Sequence, residues 1–328
     1  MRTLIENFPE QLEAAFTNAQ HAALKGSTQH FSSVIVTGLG GSGIGGKIIA
    51  QLVQDEVAVP VIINNDYLLP AFASASTLVV VSSYSGNTEE TVSAMRDALA
   101  QGCTVACISS GGLITELARE KGLDVLEIPG GQPPRSQFGY SAVSLMKVLE
   151  SYGIVSAAAF AALENLPRFL RTNKADTIAR ASHLAHVLAS RTAIIYAENR
   201  NEGVAIRWRQ QINENSKKLC WHHVYPEMNH NELVGWEGGN ASFAVLMLRS
   251  ADDHPRSVAR MNITEPLFLQ KGAAVENIIA LGKNRTERVF DLIHLGDWLS
   301  LLLAENAGVD PVSIDAIDYL KNALTALK

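Results

Sequence analysis

Two segments rich in glycine and hydroxyl groups hold the most concentrated chemistry along this chain. The first, Val34-Ile-Val-Thr-Gly-Leu-Gly-Gly-Ser-Gly-Ile-Gly-Gly46, presents Gly41 and Ser42; the second, Leu78-Val-Val-Val-Ser-Ser-Tyr-Ser-Gly-Asn-Thr-Glu-Glu90, presents Ser83, Ser85 and Thr88. Each follows an apolar, β-branched run and reads as a strand–turn–helix junction, where backbone N–H groups and a helix N-terminus converge on an anion. Thr91 extends the set of neutral donors, and Asn87 followed by Glu90 has the spacing of a capping box that starts the next helix. A phosphorylated small molecule is the ligand that such loops fit.

Nucleotide readings of the first loop are weaker. Gly38-Leu-Gly-Gly-Ser-Gly43 satisfies GxGxxG and Asp66 stands at a plausible distance for a ribose-binding acid, but Asp66 follows Asn64-Asn65 rather than closing a strand. That reading also leaves the hydroxyl-rich second loop unexplained. Gly41 to Lys47 approaches a Walker loop, yet Ile48 stands where the Mg²⁺-binding hydroxyl belongs. Glycines that serve only tight turns and close packing explain one such loop more readily than two in successive units.

The elements that must position these loops follow from periodicity. Strands are predicted over 34–38, 59–63, 77–82, 104–108 and 124–128, with helices over 43–53, 88–101 and 113–121 between them. This alternation predicts a doubly wound parallel sheet. Pro129 to Arg135 is a Pro/Gly-rich loop, and helical periodicity returns from Ser141 to Tyr152. The second half repeats the theme weakly, with strands over 193–198, 243–248 and 277–281, helices over 203–219 and 285–306, and an Ala-rich helix or connector at 157–162. The expected fold is α/β, two flavodoxin-like subdomains with parallel sheets, divided near 153–160 into residues 1–153 and 154–328. A cleft between the halves is where a small-molecule site would concentrate.

Composition narrows the function. With 328 residues and 47% hydrophobic content, the chain has enough apolar material for two cores, and its net charge of −6 argues against broad nucleic-acid binding. No apolar run reaches the ~20 residues of a membrane-spanning helix. The start, MRTLIENFPEQLEAAF, reads as a charged amphipathic helix rather than a signal peptide, so a cytoplasmic protein without a membrane partner is expected. Cys103, Cys107 and Cys220 show no metal spacing and are assigned to packing.

The loops GGSGIGG and SSYSGNTEET resemble those of the SIS (sugar isomerase) family. PRSQFGYS, ENRNEGVAIRWRQQINENSKKL, YPEMNHNELVGWE and PVSIDAIDYLKNAL are similar, within it, to the bifunctional phosphoglucose/phosphomannose isomerases, and together these motifs span nearly the whole chain. The resemblance implies two SIS subdomains, a homodimer, a sugar phosphate substrate, no cofactor, and metal-free interconversion of glucose 6-phosphate or mannose 6-phosphate with fructose 6-phosphate. It further implies that Ser83, Ser85 and Thr88 hold the phosphate and that Gly41 and Ser42 lie against the sugar. Arg135 then steadies the reacting end, Glu214 is the base, and His230 and Lys321 assist ring opening.

These residue types suit that chemistry. Aldose–ketose isomerisation needs a base that moves a proton between adjacent carbons, and Glu214 is a carboxylate flanked by amides in Gln211-Ile-Asn-Glu-Asn215. Its developing enediolate needs a fixed cation, and Pro133 and Pro134 restrict the loop that bears Arg135. An imidazole such as His230 delivers a proton to the ring oxygen. Lys321 otherwise reads as a surface lysine, and Trp208, Trp221 and Trp236 as core. His222, His223, His230 and Glu232 fit no common zinc spacing, although the crowding of imidazoles leaves open which histidine acts. Two other functions stay open: an SIS isomerase of a different sugar phosphate, and a phosphosugar-sensing regulator. The latter is disfavoured because no helix-turn-helix extension accompanies the loops.

Overall fold

The computed structural model describes residues 1–327. Strands β1 (Ser33–Thr37), β2 (Val61–Asn64), β3 (Thr77–Ser83), β4 (Thr104–Ser109) and β5 (Asp124–Glu127) form an all-parallel sheet in the order β2-β1-β3-β4-β5. Val34 to Thr37 of β1 pair with Leu78 to Val81 of β3. Both strands are buried along their whole length, which is why they read as continuous apolar runs rather than alternating ones. Helices α1 (Arg2–Glu6), α2 (Phe8–His21), α3 (Gly40–Val53), α4 (Glu89–Ala100), α5 (Gly112–Glu120) and α6 (Phe138–Ser151) accompany it. The chain winds one way from β1 to β2 and the other way from β3 onward. The carboxyl ends of β1 and β3 therefore flank the switch point, the place where open α/β sheets take ligands.

A second parallel sheet repeats the order with one strand fewer. Strands β6 (Thr192–Glu198), β7 (Trp221–Tyr225), β8 (Phe243–Arg249) and β9 (Ala274–Ile279) lie as β7-β6-β8-β9. With them are α7 (Ala157–Ala161), α8 (Leu166–Val187), α9 (Glu202–Ser216), α10 (Glu232–Gly235), α11 (Pro255–Gln270), α12 (Arg285–Ala307) and α13 (Asp315–Ala326). One hydrophobic core runs through both halves, joining Val34, Val36 and Ile48 to Ile195, Trp208, Phe290 and Trp298. Where α3 meets α9, a side chain on Gly203 would stand 2.9 Å from Ile48, so glycine sets the closeness of that contact.

Several boundaries differ from the sequence reading. The helix expected to run to Leu219 stops at Ser216, because Lys217 adopts the left-handed conformation (φ 55°) and caps it. The last strand lies at Ala274–Ile279 rather than 277–281. The Asn87–Glu90 capping box does not form. Thr88 is the N-cap of α4 without a side-chain cap bond, and Asn87 Oδ1 accepts instead from the N–H of Leu113. That N–H lies 26 residues away in sequence, outside the reach of local spacing rules. Cys107 is fully buried in β4, as its strand-like setting predicts, and burial raises its thiol to about 12.

Helices α9 and α12 touch at Gly296, where a Cβ would come within 2.4 Å of the Trp208 indole nitrogen, which donates to Leu292 O at 2.8 Å. Gly296→Ala is expected to lower unfolding free energy by about 1–3 kcal/mol through overpacking. A urea midpoint equal to that of the parent protein would rule out this contact as a constraint.

Candidate functional site

At the switch point the two hydroxyl loops are tied to each other. Ser42 Oγ accepts from Tyr84 N at 3.0 Å, and the Ser83 hydroxyl donates to Thr88 Oγ1 at 3.1 Å. Ser85 Oγ accepts from Asn87 N at 3.3 Å, a local turn that leaves Ser85 exposed. Gly86 has φ +68°, and a side chain there would meet Gly111 O at 1.8 Å, so the loop packs directly on its neighbour after β4. Ser110 Oγ donates to Tyr84 O at 2.6 Å, and Gln132 N donates to Tyr84 Oη at 2.9 Å. The uncapped first turn of α4 leaves its N–H groups to an external acceptor, beside the hydroxyls of Ser83 and Thr88. Thr91 Oγ1, buried in that turn, has no partner among the described residues.

Arg135 stands directly over the first loop. It lies in the 3₁₀ turn Pro134–Ser136, and a Cβ on Gly41 would come within 3.2 Å of its Cα, so a larger residue there would have to push the turn back by a few tenths of an ångström. The guanidinium is 5% exposed and reaches into the second half of the chain. Its Nε donates to Asn215 Oδ1 at 2.7 Å, and Nη2 donates to Pro311 O at 2.5 Å and Val312 O at 3.1 Å. Nη1 is 3.3 Å from Glu214 Oε2, whose side chain remains 28% exposed. Burial lowers the guanidinium from its usual value, while Glu214 and then Asp310 act in the opposite sense; an arginine keeps its charge under such pressure.

A closed ring of buried polar groups holds this arrangement. Asn215 Nδ2 donates to Ser300 Oγ at 2.9 Å, and Ser300 Oγ donates to Asp297 O at 2.8 Å. The Asp297 carboxylate accepts from Arg207 Nη2 at 2.9 and 2.7 Å and from Gln211 Nε2 at 2.7 Å. Arg207 returns to the start by donating to Arg135 O at 3.3 Å, with its guanidinium 4.6 Å from the Phe138 ring centroid. Lys217 Nζ links Glu214 O (2.6 Å) to Ser313 O (2.7 Å), pinning the segment before α13 beside Glu214. Sequence reasoning missed Arg207, Lys217, Asp297 and Ser300, which show no local pattern. The amides beside Glu214 were the one available signal, and Asn215 is the amide that bonds Arg135.

Two expected participants lie elsewhere in the chain. His230 is in the 3₁₀ turn Glu227–His230, whose Met228 packs with Tyr196 and Trp236 on one face of the second sheet. Glu214 belongs to α9, whose Trp208 packs with Ile195 on the other face. The second sheet thus stands between His230 and Glu214 within one chain. Lys321 lies on α13, which buries none of its side chains, and its ammonium has no hydrogen bond among the described residues. His222 and His223 are adjacent on β7, pairing in register with Ile195 and Tyr196, so they point to opposite faces and do not gather with His230 into a metal site. Burial, then Arg209, pushes His222 down to about 4. Of the tryptophans, Trp208 and Trp236 are buried and Trp221 is 38% exposed. Cavities of about 580 and 570 Å³ lie away from this cluster, along α3 and β2 and at the carboxyl edge of the second sheet.

Paired flavodoxin-like sheets with a hydroxyl loop at the switch point define an SIS-type α/β protein. The profile of the bacterial phospho-glucose isomerase C-terminal SIS domain matches residues 178–324. The chain is 37% identical to a bifunctional phosphoglucose/phosphomannose isomerase from Caldicellulosiruptor bescii, over 99% of this chain and 98% of that protein. It is 33% identical to a protein of the same name from Aquifex aeolicus, over 90% and 91%. Among solved structures, the C-terminal domain of glucosamine-fructose-6-phosphate aminotransferase from Francisella tularensis superposes with a TM-score of 0.71 at 14% identity, covering 94% of this chain and 98% of that one. The chain belongs to the bifunctional phosphoglucose/phosphomannose isomerase family.

Asn215→Ala is expected to cost about 1–3 kcal/mol of unfolding free energy, because it strips the Arg135 Nε–H and Ser300 of a buried partner. Asn215→Asp keeps the acceptor for Arg135 and should recover part of that loss. Equal denaturation midpoints for the parent and the alanine variant would mean that the ring does not hold Arg135.

Proposed function

We propose that this chain interconverts glucose 6-phosphate and mannose 6-phosphate with fructose 6-phosphate through an enediol. The observation that carries this reading is the Arg135–Glu214 pair, a buried guanidinium against a partly open carboxylate, set over a phosphate-binding switch point. Ser83, Ser85 and Thr88, with the first-turn N–H groups of α4, bind the phosphate. Gly41 and Ser42 run beneath the sugar. Glu214 removes the C2 proton of the open-chain aldose, O1 takes up a proton, and a C1=C2 enediol forms. The O2 proton then leaves, C2 becomes the carbonyl, and Glu214 returns its proton to C1. Arg135 offsets the negative charge that develops on the two oxygens.

Glucose and mannose 6-phosphates differ in configuration at C2, and rotation about C2–C3 after ring opening presents either hydrogen to one base. The same Glu214 then serves both aldoses. Because Arg135 supplies the positive charge, the reaction is expected to proceed in excess EDTA. Glu214→Gln should reduce kcat for both aldoses in parallel, by roughly 10²–10⁴-fold, while the protein still folds, as read by circular dichroism. If one aldose kept full turnover in that variant, a shared base would be excluded.

Ring opening in this reading uses His230 from a second copy of the chain, since the second sheet separates it from Glu214 of its own chain, and the active form is a homodimer. Lys321 assists from α13, whose leading segment is anchored at the site by Arg135 and Lys217. Complementation tests the arrangement. Glu214→Gln and His230→Ala homodimers should each be inactive, and equal mixing with subunit exchange should restore about one quarter of parental activity, from heterodimers with one intact site. No recovery despite demonstrated exchange would assign His230 to another role.

A further inference from the structure

At the amino edge of the second sheet, Trp221 and Phe243 open β7 and β8, and the segment between those strands folds back over them. A cavity of about 240 Å³ lies there. Trp221 and Trp236 stand at 76° and 73° to the Phe243 ring, with centroids 5.6 and 6.2 Å from it, so three aromatic rings set at steep angles wall the space. Gly238 and Gly239 line it without side chains. Trp236 is fixed by its N–H, which donates to the Tyr196 hydroxyl at 2.9 Å, and by Phe268, 4.4 Å away between centroids.

One carboxylate borders this space. Glu232 Oε1 accepts from the Tyr196 hydroxyl at 2.5 Å and from Trp221 Nε1 at 3.0 Å, while Oε2 has no protein partner among the described residues. The covering segment, residues 226–240, carries Glu227, Glu232 and Glu237 and no lysine or arginine. Aromatic rings attract a cation through their negative faces, and a carboxylate set among them adds direct charge attraction. A sugar phosphate is repelled by the same charges. The cavity sits on the face of the sheet opposite α9, bordered by neither Glu214 nor the hydroxyl loops.

We propose that the space between Trp221, Trp236 and Phe243 binds a small organic ammonium ion, held by the three rings and by the free Oε2 of Glu232. The proposal rests on this cavity and does not depend on the isomerase reading above.

Choline is the probe, titrated into the full-length protein and followed by tryptophan fluorescence and calorimetry. Its uncharged isostere 3,3-dimethylbutan-1-ol, and glucose, are titrated in parallel. Saturable millimolar binding of choline is expected, with the isostere weaker by at least about tenfold. Glu232→Gln should weaken choline by a similar factor. Because Glu232 also holds Tyr196 and Trp221, Phe243→Leu serves as a second variant; it keeps an apolar wall but removes a ring, and should weaken choline while leaving isomerase kinetics unchanged. Absence of saturable choline binding to the parent protein, an isostere that binds as well as choline, or tighter binding of glucose would each overturn the proposal.

Discussion

The cost of burying a guanidinium governs how this molecule is assembled. Arg135 is taken almost wholly out of water, and an unpartnered charge there would cost about 3–5 kcal/mol. No single element can satisfy its five donors. The acceptors come from the end of α9, from the segment after α12 and from the Glu214 carboxylate, so the loop of the first half folds correctly only against the second half. The Arg207–Asp297 pair, also buried, closes the other side of the same ring and binds the backbone carbonyl of Arg135 itself. The side chain that would stabilise an enediolate is thus the one that joins the two sheets.

The opposite condition holds at the second hydroxyl loop. Around Arg135 the polar groups of the ring bond to one another, with Arg207 Nε buried but without a partner among the described residues, whereas α4 begins with no side-chain cap, and the residue that had the sequence to provide one, Asn87, is committed to Leu113. Helix N-termini left open in this way attract anions. Ser42, Ser110 and Gln132 each bond Tyr84 and so fix the shape of that turn. The two ends of the candidate site are thus unlike: a rigid polar ring around Arg135 and a set of N–H and hydroxyl donors at the start of α4.

Much of the fold was legible because parallel strands buried on both faces leave unbroken apolar runs, as in Leu78 to Val81 and Ala244 to Leu248. The helices α8 and α11 were not. The first buries scattered positions such as Leu170, Thr177 and Ala181 amid charged residues, and the second contains Pro266, which normally argues against a helix interior. Arg135 and Glu214 were individually recognisable from their motifs, but their contact spans 79 positions and lies beyond any spacing rule. The pairing of charges such as Arg207 and Asp297 was not legible, since pairing is a property of packing. Strand alternation on β7 decided the fate of the histidines: it sends His222 beneath α9 and His223 the other way, a parity that crowding in the sequence conceals.

The bond from Arg135 to the carbonyls of Pro311 and Val312 joins groups 176 and 177 positions apart. A ribosome releases the first sheet and both hydroxyl loops well before it has translated the acceptors that Arg135 needs. Until then the nascent first half carries a cation with nowhere dry to go and the apolar flank of α3 without α9 against it. Completion of this site therefore waits until residues 311 and 312 have been made, long after Arg135 itself. A transcript truncated after α12 would yield two sheets with every strand present and the Arg135 side chain deprived of its carbonyl partners.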